Sequence, residues 1–308
     1  MTIHLLSLQK RNRVITFFLF FLFSLVVSTP LYAQQVEEGA PSKSCLWVVE
    51  TTSTQVFLLG SLHVLKSSAY PLASEIDRAY ASSQRIVFET NIGAMMEPAI
   101  QAKMIELGVY PEGQNLFQNI SETTRKNLEK KLQELGMPLD YFSRFKPWFL
   151  AVTLTTLELQ RLGFNPLYGI DLHFYTKAKA DEKELAYLEA VEYQLNLLGK
   201  MNAQDQKSFL AQTLKDLDIS AQLADDMMAA WQHGEADDLY EILFESFEDH
   251  PGIEDRLLTR RNQDWLPQIE KMLKTPKISM VIVGAGHLIG PEGLVELLKQ
   301  KGYDVKQR

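Results

Sequence analysis

Hydrophobic positions along the chain follow two periods, and the switches between them mark the elements. Cys45–Glu50 and Gln55–Leu59 are short runs of strand-forming residues, and Thr51–Thr54 between them predicts a hairpin. Residues 71–82 predict a helix, with Pro71 in its first turn and Ile76, Ala79 and Tyr80 on one face. Arg85–Glu89 (RIVFE) predicts a short buried strand. From about Met95 to Trp265 the period is helical. Ser121 opens a helix that stops at Gly136, and Lys146-Pro147-Trp148 opens another. Leu185–Leu188 interrupts this stretch as a strand, followed by a helix over 191–198 and by acidic amphipathic segments over 205–231 and 236–247. The end returns to mixed character. Ile278–Val283 predicts a buried strand, 291–300 a helix and Tyr303–Lys306 a last strand.

The two ends resemble each other. Val56-Phe-Leu-Leu-Gly60-Ser-Leu-His63 lies over Met280-Val-Ile-Val-Gly284-Ala-Gly-His287. Each is an apolar strand ending in Gly-x-x-His, then a loop, a helix and another strand. The fold this predicts is α/β: two β-(Gly-x-x-His)-α-β units form a central sheet, with a large helical insertion between them. No low-complexity tract or linker divides residues 45–308, which therefore read as one domain.

The first residues read differently. Lys10, Arg11 and Arg13 precede the apolar run Val14–Val27, and Leu31-Tyr32-Ala33 closes the segment. Residues 1–33 thus read as a secretory signal, or as an uncleaved membrane anchor because Leu31 is not the usual small residue before a cleavage point. Residues 34–44 read as a flexible leader. The expected location is outside the cytoplasm, periplasmic or anchored facing the periplasm in a Gram-negative host. Any membrane contact would run through that uncleaved segment alone. Without residues 1–33 the formal charge moves from −8 to −11, because three basic and no acidic side chains are lost. Such an acidic surface argues against nucleic acid as a partner. The lone cysteine, Cys45, excludes an internal disulfide and any Cys-x-x-Cys metal site.

Candidate chemistry gathers at strand ends. A strand running into Gly has reached the sheet edge, and in α/β sheets the carboxyl edge is where ligands bind. His63 and His287 are each placed there, and Glu89 ends its own strand. If that strand lies beside the first Gly-x-x-His strand, Glu89 projects towards His63. Two imidazoles and a carboxylate suit a catalytic divalent ion. The same groups equally suit metal-free general-base chemistry oriented by the carboxylate. Either imidazole alone could simply cap a strand end. Asp171 is expected to cap a helix N-terminus, and His173, one turn further, to lie in the core or behind the site. His233 and His250 read as surface residues. Arg261, within Arg260-Arg261-Asn262, could hold a carboxylate or an oxyanion, although its spacing also fits an exposed face paired with Glu254 or Asp255. No Gly-x-Ser-x-Gly elbow, His-Glu-x-x-His helix or phosphate loop is present, and Ile289 breaks a dinucleotide fingerprint at Gly284.

Together these pieces resemble the TraB/GumN family, related to the animal Tiki proteins. The resemblance rests on Leu46-Trp47, Phe57–Val64, Tyr70-Pro71-Leu72, Phe88-Glu89, Lys146-Pro147-Trp148, Gly169–Phe174, Glu189 with Gln194, Arg261-Asn262-x-x-Trp265 and Val283–Pro291. Ser61 stands where many relatives carry Thr. The resemblance implies a divalent-metal-dependent protease using manganese or cobalt, with zinc as a further candidate. It places His63, Glu89 and His287 at the active site as ligands, with Arg261 and Asn262 nearby, and a peptide or protein as substrate or ligand. A binding protein that sequesters such a ligand without cleaving it remains the other reading.

Overall fold

The computed structural model describes residues 43–244 and 251–308. The expected signal or anchor over 1–33, residues 34–42 of the leader and His250 lie outside the described residues. Among the described residues no helix is long and apolar enough to cross a membrane.

Six strands form one sheet: β1 (Leu46–Glu50), β2 (Gln55–Ser61), β3 (Arg85–Phe88), β4 (Glu184–Tyr187), β5 (Ser279–Gly284) and β6 (Val305–Gln307). Their order is β4-β3-β5-β2-β1-β6. The pairs β4–β3, β3–β5 and β5–β2 are parallel, while β1 runs antiparallel to both β2 and β6. Helix α1 (Ser74–Ser82) links β2 to β3. Between β3 and β4 lie α2 (Ile92–Met95), α3 (Pro98–Gly108), α4 (Glu122–Glu134), α5 (Pro147–Arg161) and α6 (Ile170–Ala180). Between β4 and β5 lie α7 (Val191–Gly199), α8 (Ala203–Asp216), α9 (Ser220–Gln232), α10 (Ala236–Phe244), α11 (Pro251–Glu254) and α12 (Arg260–Met272), and α13 (Leu294–Gln300) links β5 to β6. The α/β fold with a helical insertion is the one the sequence predicts.

Local chemistry accounts for most of these elements. Every residue of β5 is buried, as a central parallel strand covered on both faces requires. The Ser121 side chain accepts from the Thr124 amide at the start of α4, whose Leu128 and Leu132 are buried. After its last turn Gly136 takes a positive φ of 67°. Helix α5 carries apolar residues around most of its surface because it serves two buried clusters. Its Leu159 joins the cluster on the sheet, while Trp148, Phe149, Leu150, Val152 and Leu154 join α3, α4, α7 and α8 in a helical one.

Two helices begin later than the sequence predicts. The Tyr70–Pro71 peptide is cis and α1 opens only at Ser74. Pro291 sits in a turn beside Gly290, which has a φ of 82°, and α13 opens at Leu294. In both places proline serves the loop rather than the first helical turn. The two Gly-x-x-His units are also interleaved rather than side by side. Strand β3 lies beyond β5, so Glu89 follows a strand that neighbours the second Gly-x-x-His strand and not the first. Ser61 pairs with Gly284, and Gly60 with Val283.

Two glycines permit the close packing that this edge needs. A Cβ on Gly60 would lie 3.1 Å from both Cα and Cβ of Ala285, in the turn after β5. The Gly60 carbonyl also accepts a 2.7 Å hydrogen bond from Trp231 Nε1 of α9. Gly169, at the start of α6, is tighter: a Cβ there would lie 2.1 Å from the His63 carbonyl oxygen. That neighbour is backbone and cannot rotate away. Gly169→Ala is therefore expected to lower stability by about 1–3 kcal/mol, the usual cost of overpacking. Urea unfolding checks this, and a midpoint equal to that of the parent protein would refute the contact.

Candidate functional site

Four neighbouring strands deliver side chains to one point at their carboxyl edge. Strand β2 leads into Ser61 and His63, β5 into Gly284 and His287, β3 into Glu89 and β4 into Glu189. The last two are tied by their backbones, since the Glu189 amide donates to the Glu89 carbonyl at 2.9 Å. Helix α12 adds Arg261, Asn262 and Trp265, whose spacing puts them on one face.

His63 is oriented from behind. Its Nδ1 lies 2.7 Å from Asp171 Oδ2, and Ser61 Oγ donates to Asp171 Oδ1 at 3.0 Å. A carboxylate only accepts, so Nδ1 carries the proton and Nε2 presents its lone pair. Asp171 is thus not the helix cap that the sequence suggested. Gly169 occupies that position, and the buried Asp171 side chain turns to His63 instead. Burial pushes the His63 pKa down, but the charge and hydrogen bond of Asp171, with Glu89, outweigh it and leave the value raised.

His287 is held in the same tautomer by a neutral partner. Asn262 Nδ2 donates to the Glu292 carbonyl at 2.8 Å, which leaves Asn262 Oδ1 to accept from His287 Nδ1 at 2.7 Å. The His287 Nε2 lone pair then accepts from Arg261 Nη1 at 2.9 Å. Burial and the Arg261 charge push the His287 pKa down to about 3. Its ring lies 4.4 Å from that of Trp265.

Glu89 faces both imidazoles. Its Oε1 accepts the Gly284 amide at 2.8 Å and lies 3.8 Å from His287 Nε2. Its Oε2 accepts from Arg261 Nη2 and, at 3.0 Å, from Gln194 Nε2. Burial pushes its pKa up, but Arg261, both imidazoles and the Gly284 amide prevail and hold it at about 2. Glu89 is therefore ionised at neutral pH.

Arg261 is buried, not part of an exposed face. Its Nε donates to both oxygens of Glu189 at 3.1 Å, and its Nη2 donates to Glu189 Oε1 at 2.7 Å as well as to Glu89. Its Nη1 donates to the Leu257 carbonyl and to His287. Every N–H of the guanidinium is thus engaged, and an oxyanion role would require one to be released. A π-helical turn over Asp255–Thr259 leads into α12 and presents that Leu257 carbonyl. The exposed-face reading holds for Arg260, which pairs with Asp255 at 2.6 Å.

Glu189 and Gln194 carry no chemical role in the sequence pattern, yet both reach this cluster. Glu189 also accepts from Trp265 Nε1 at 3.2 Å, and burial leads the causes that raise its pKa. A signal was present: ELAYLE repeats the strand-then-Glu pattern of RIVFE. His173 lies away from this cluster, 5.2 Å from the ring of Tyr70, and His233 is exposed as expected.

The donor set suits a divalent cation. An ideal Cβ on Gly284 would lie 3.4 Å from Glu89 Oε1 and 3.7 Å from both His63 Nε2 and His287 Cδ2. The missing side chain thus leaves a small space bounded by all three groups. Both imidazoles have the backing partners usual for metal-binding histidines. Two carboxylates, those of Glu89 and Glu189, share one guanidinium, and a third, that of Asp171, backs His63. Among the described residues, however, no three His, Cys, Asp or Glu side chains stand already arranged as a metal cage. Arg261 holds the His287 lone pair that such a cage would use.

The chain is similar to the uncharacterized protein YbaP of Escherichia coli (strain K12), 26% identical over 242 residues that cover 79% of this chain and 87% of YbaP. It is also similar to metalloprotease TIKI2 of Danio rerio, 22% identical over 319 residues that cover 85% of this chain and 60% of TIKI2. No solved structure matches it. The sequence pattern that defines the TraB/PrgY/gumN family matches residues 45–307, and the chain belongs to that family.

Proposed function

We propose that this protein is an exported, divalent-metal-dependent hydrolase of peptide bonds, with His63, Glu89 and His287 as the metal-holding groups. The observation that carries the reading is the meeting of these three side chains around the missing Cβ of Gly284. The likeness to a protein named a metalloprotease supports the reaction class. A divalent ion in such a site supplies Lewis acidity towards a carbonyl and towards water. Manganese and cobalt are the first candidates, and zinc the third.

The chain's own residues divide the remaining work. Asp171 fixes the His63 ring and increases its basicity, which strengthens Nε2 as a lone-pair donor to a cation at the mouth of the site. The His63 side chain is 15% exposed, whereas that of His287 is 2% exposed, so substrate reaches His63 first. Glu89 remains ionised beneath it. We place the activity in the periplasm, free or anchored by residues 1–33, on the pattern of that segment. The acidic charge fits a peptide or protein substrate and not nucleic acid.

The protein without residues 1–33 should melt at a higher temperature when manganese, cobalt or zinc is restored after chelation. A ligand present at about 100 times its Kd adds about 2.7 kcal/mol to folding stability. The His63→Ala/His287→Ala double variant should lose that rise. No rise with any ion removes the metal from the proposal. Peptides incubated with the metal-loaded protein and read by mass spectrometry separate cleavage from capture: intact, bound peptide would favour the sequestering protein instead.

Gly284→Ala tests the shared space. The added methyl meets its neighbours at ordinary van der Waals distance, and Gly284 has a φ of −48° that any residue adopts. The chelated variant should therefore melt within a few degrees of the parent protein while its metal affinity falls by about tenfold or more, a loss of about 1.4 kcal/mol. Undiminished affinity would place the ion elsewhere.

A further inference from the structure

Arg261 occupies one of the donor atoms that the proposed centre needs. His287 Nδ1 is committed to Asn262, which is itself fixed by the Glu292 carbonyl, so the ring has only Nε2 left to offer. That atom accepts from Arg261 Nη1 at 2.9 Å. A lone pair serves a proton donor or a cation, not both. The guanidinium is at the same time the positive charge that balances Glu89 and Glu189. It therefore meets both needs of the site, charge and lone pair, without any added ion.

We infer that Arg261 is an internal occupant of the cation site, and that its Nη1 must release His287 Nε2 before a divalent ion can be held there. This rests on the metal-dependent reading above. The other contacts of Arg261 allow such an exchange without expelling the side chain. Its Nε and Nη2 stay on Glu189, Nη1 keeps the Leu257 carbonyl, and its guanidinium carbon lies 4.5 Å from the centre of the Trp265 ring. Only one N–H has to change partner. That freed donor is the spare one that the resting arrangement lacks, and it then faces the same pocket as His63 and Glu89. Release of His287 thus couples cation capture to the appearance of a donor for a substrate carbonyl oxygen. Arg261 is in this sense a positioning residue that sets cation affinity.

The test is the affinity of the purified protein for cobalt, measured by calorimetry after chelation, for the parent chain and for Arg261→Lys. Lysine keeps the charge but presents its donors from one nitrogen, without the planar fork that reaches Glu89, Glu189 and His287 together. Direct competition predicts cobalt binding several-fold tighter in Arg261→Lys than in the parent, although the local charge is unchanged. Equal or weaker binding in a folded Arg261→Lys overturns the inference and leaves the metal-dependent reading standing. Absence of cobalt binding in both proteins overturns the two together. If Arg261→Lys fails to fold, the second measurement is the 15N chemical shift of His287 Nε2 in the parent protein. Displacement of Nη1 predicts that this shift moves on cobalt or zinc addition, and a resonance unmoved at saturation refutes it.

Discussion

A single buried guanidinium ties the candidate site to the fold. Arg261 reaches from α12 to Glu89 after β3 and to Glu189 after β4, and both carboxylates are buried with it. Removing one partner from a buried ion pair costs about 3–5 kcal/mol, because the other charge is left dry and unpaired. The arrangement holds only because three elements far apart in sequence arrive together. Strands β3 and β4 pair in parallel, so that their following carboxylates lie side by side. The helix must then present Arg261 inward within one turn of Trp265, whose indole covers the guanidinium and whose Nε1 donates to Glu189. Two like charges placed next to each other would repel without this shared cation. The position of α12 over the sheet edge and the ionisation of Glu89 are therefore two consequences of one interaction.

The parts of the fold legible in the sequence are those with local causes. β5 reads as a buried strand because it is one, with no charged position along it and Ser279 as its one polar residue. The boundaries of α4 follow from Ser121 and Gly136, and those of α5 from Pro147. The Gly-x-x-His repeat located both histidines, since a glycine after an apolar run marks a strand end whatever its neighbours are. The parts that were not legible depend on non-local pairing. Nothing in RIVFE shows that β3 lies beyond β5, and nothing in Ile170-Asp171-Leu172 shows that the carboxylate serves His63 rather than its own helix. Both are settled by contacts more than a hundred residues apart in sequence. Glu189 is the intermediate case. Its strand was visible and its position after that strand was visible, but its partner Arg261 was chosen by packing.

The two histidines show how far a repeated motif can diverge chemically. Both rings are held through Nδ1 and both present Nε2 to the same space. Yet the backing partner of His63 is a carboxylate and that of His287 is an amide. Asp171 stabilises an imidazolium and raises the His63 pKa, whereas Asn262 gives no such charge and Arg261 stands directly against the other nitrogen of His287. One imidazole is made more basic by the carboxylate behind it, and the other is kept neutral with its pKa pushed to about 3. Exposure divides them in the same sense, since His63 is at the mouth and His287 is enclosed. A deeply buried imidazole that stays neutral at neutral pH suits a lone-pair donor, and a partly exposed one with a carboxylate behind it suits contact with substrate. The symmetry of the sequence repeat therefore fixes where the two rings sit. The asymmetry of their partners decides what each ring does.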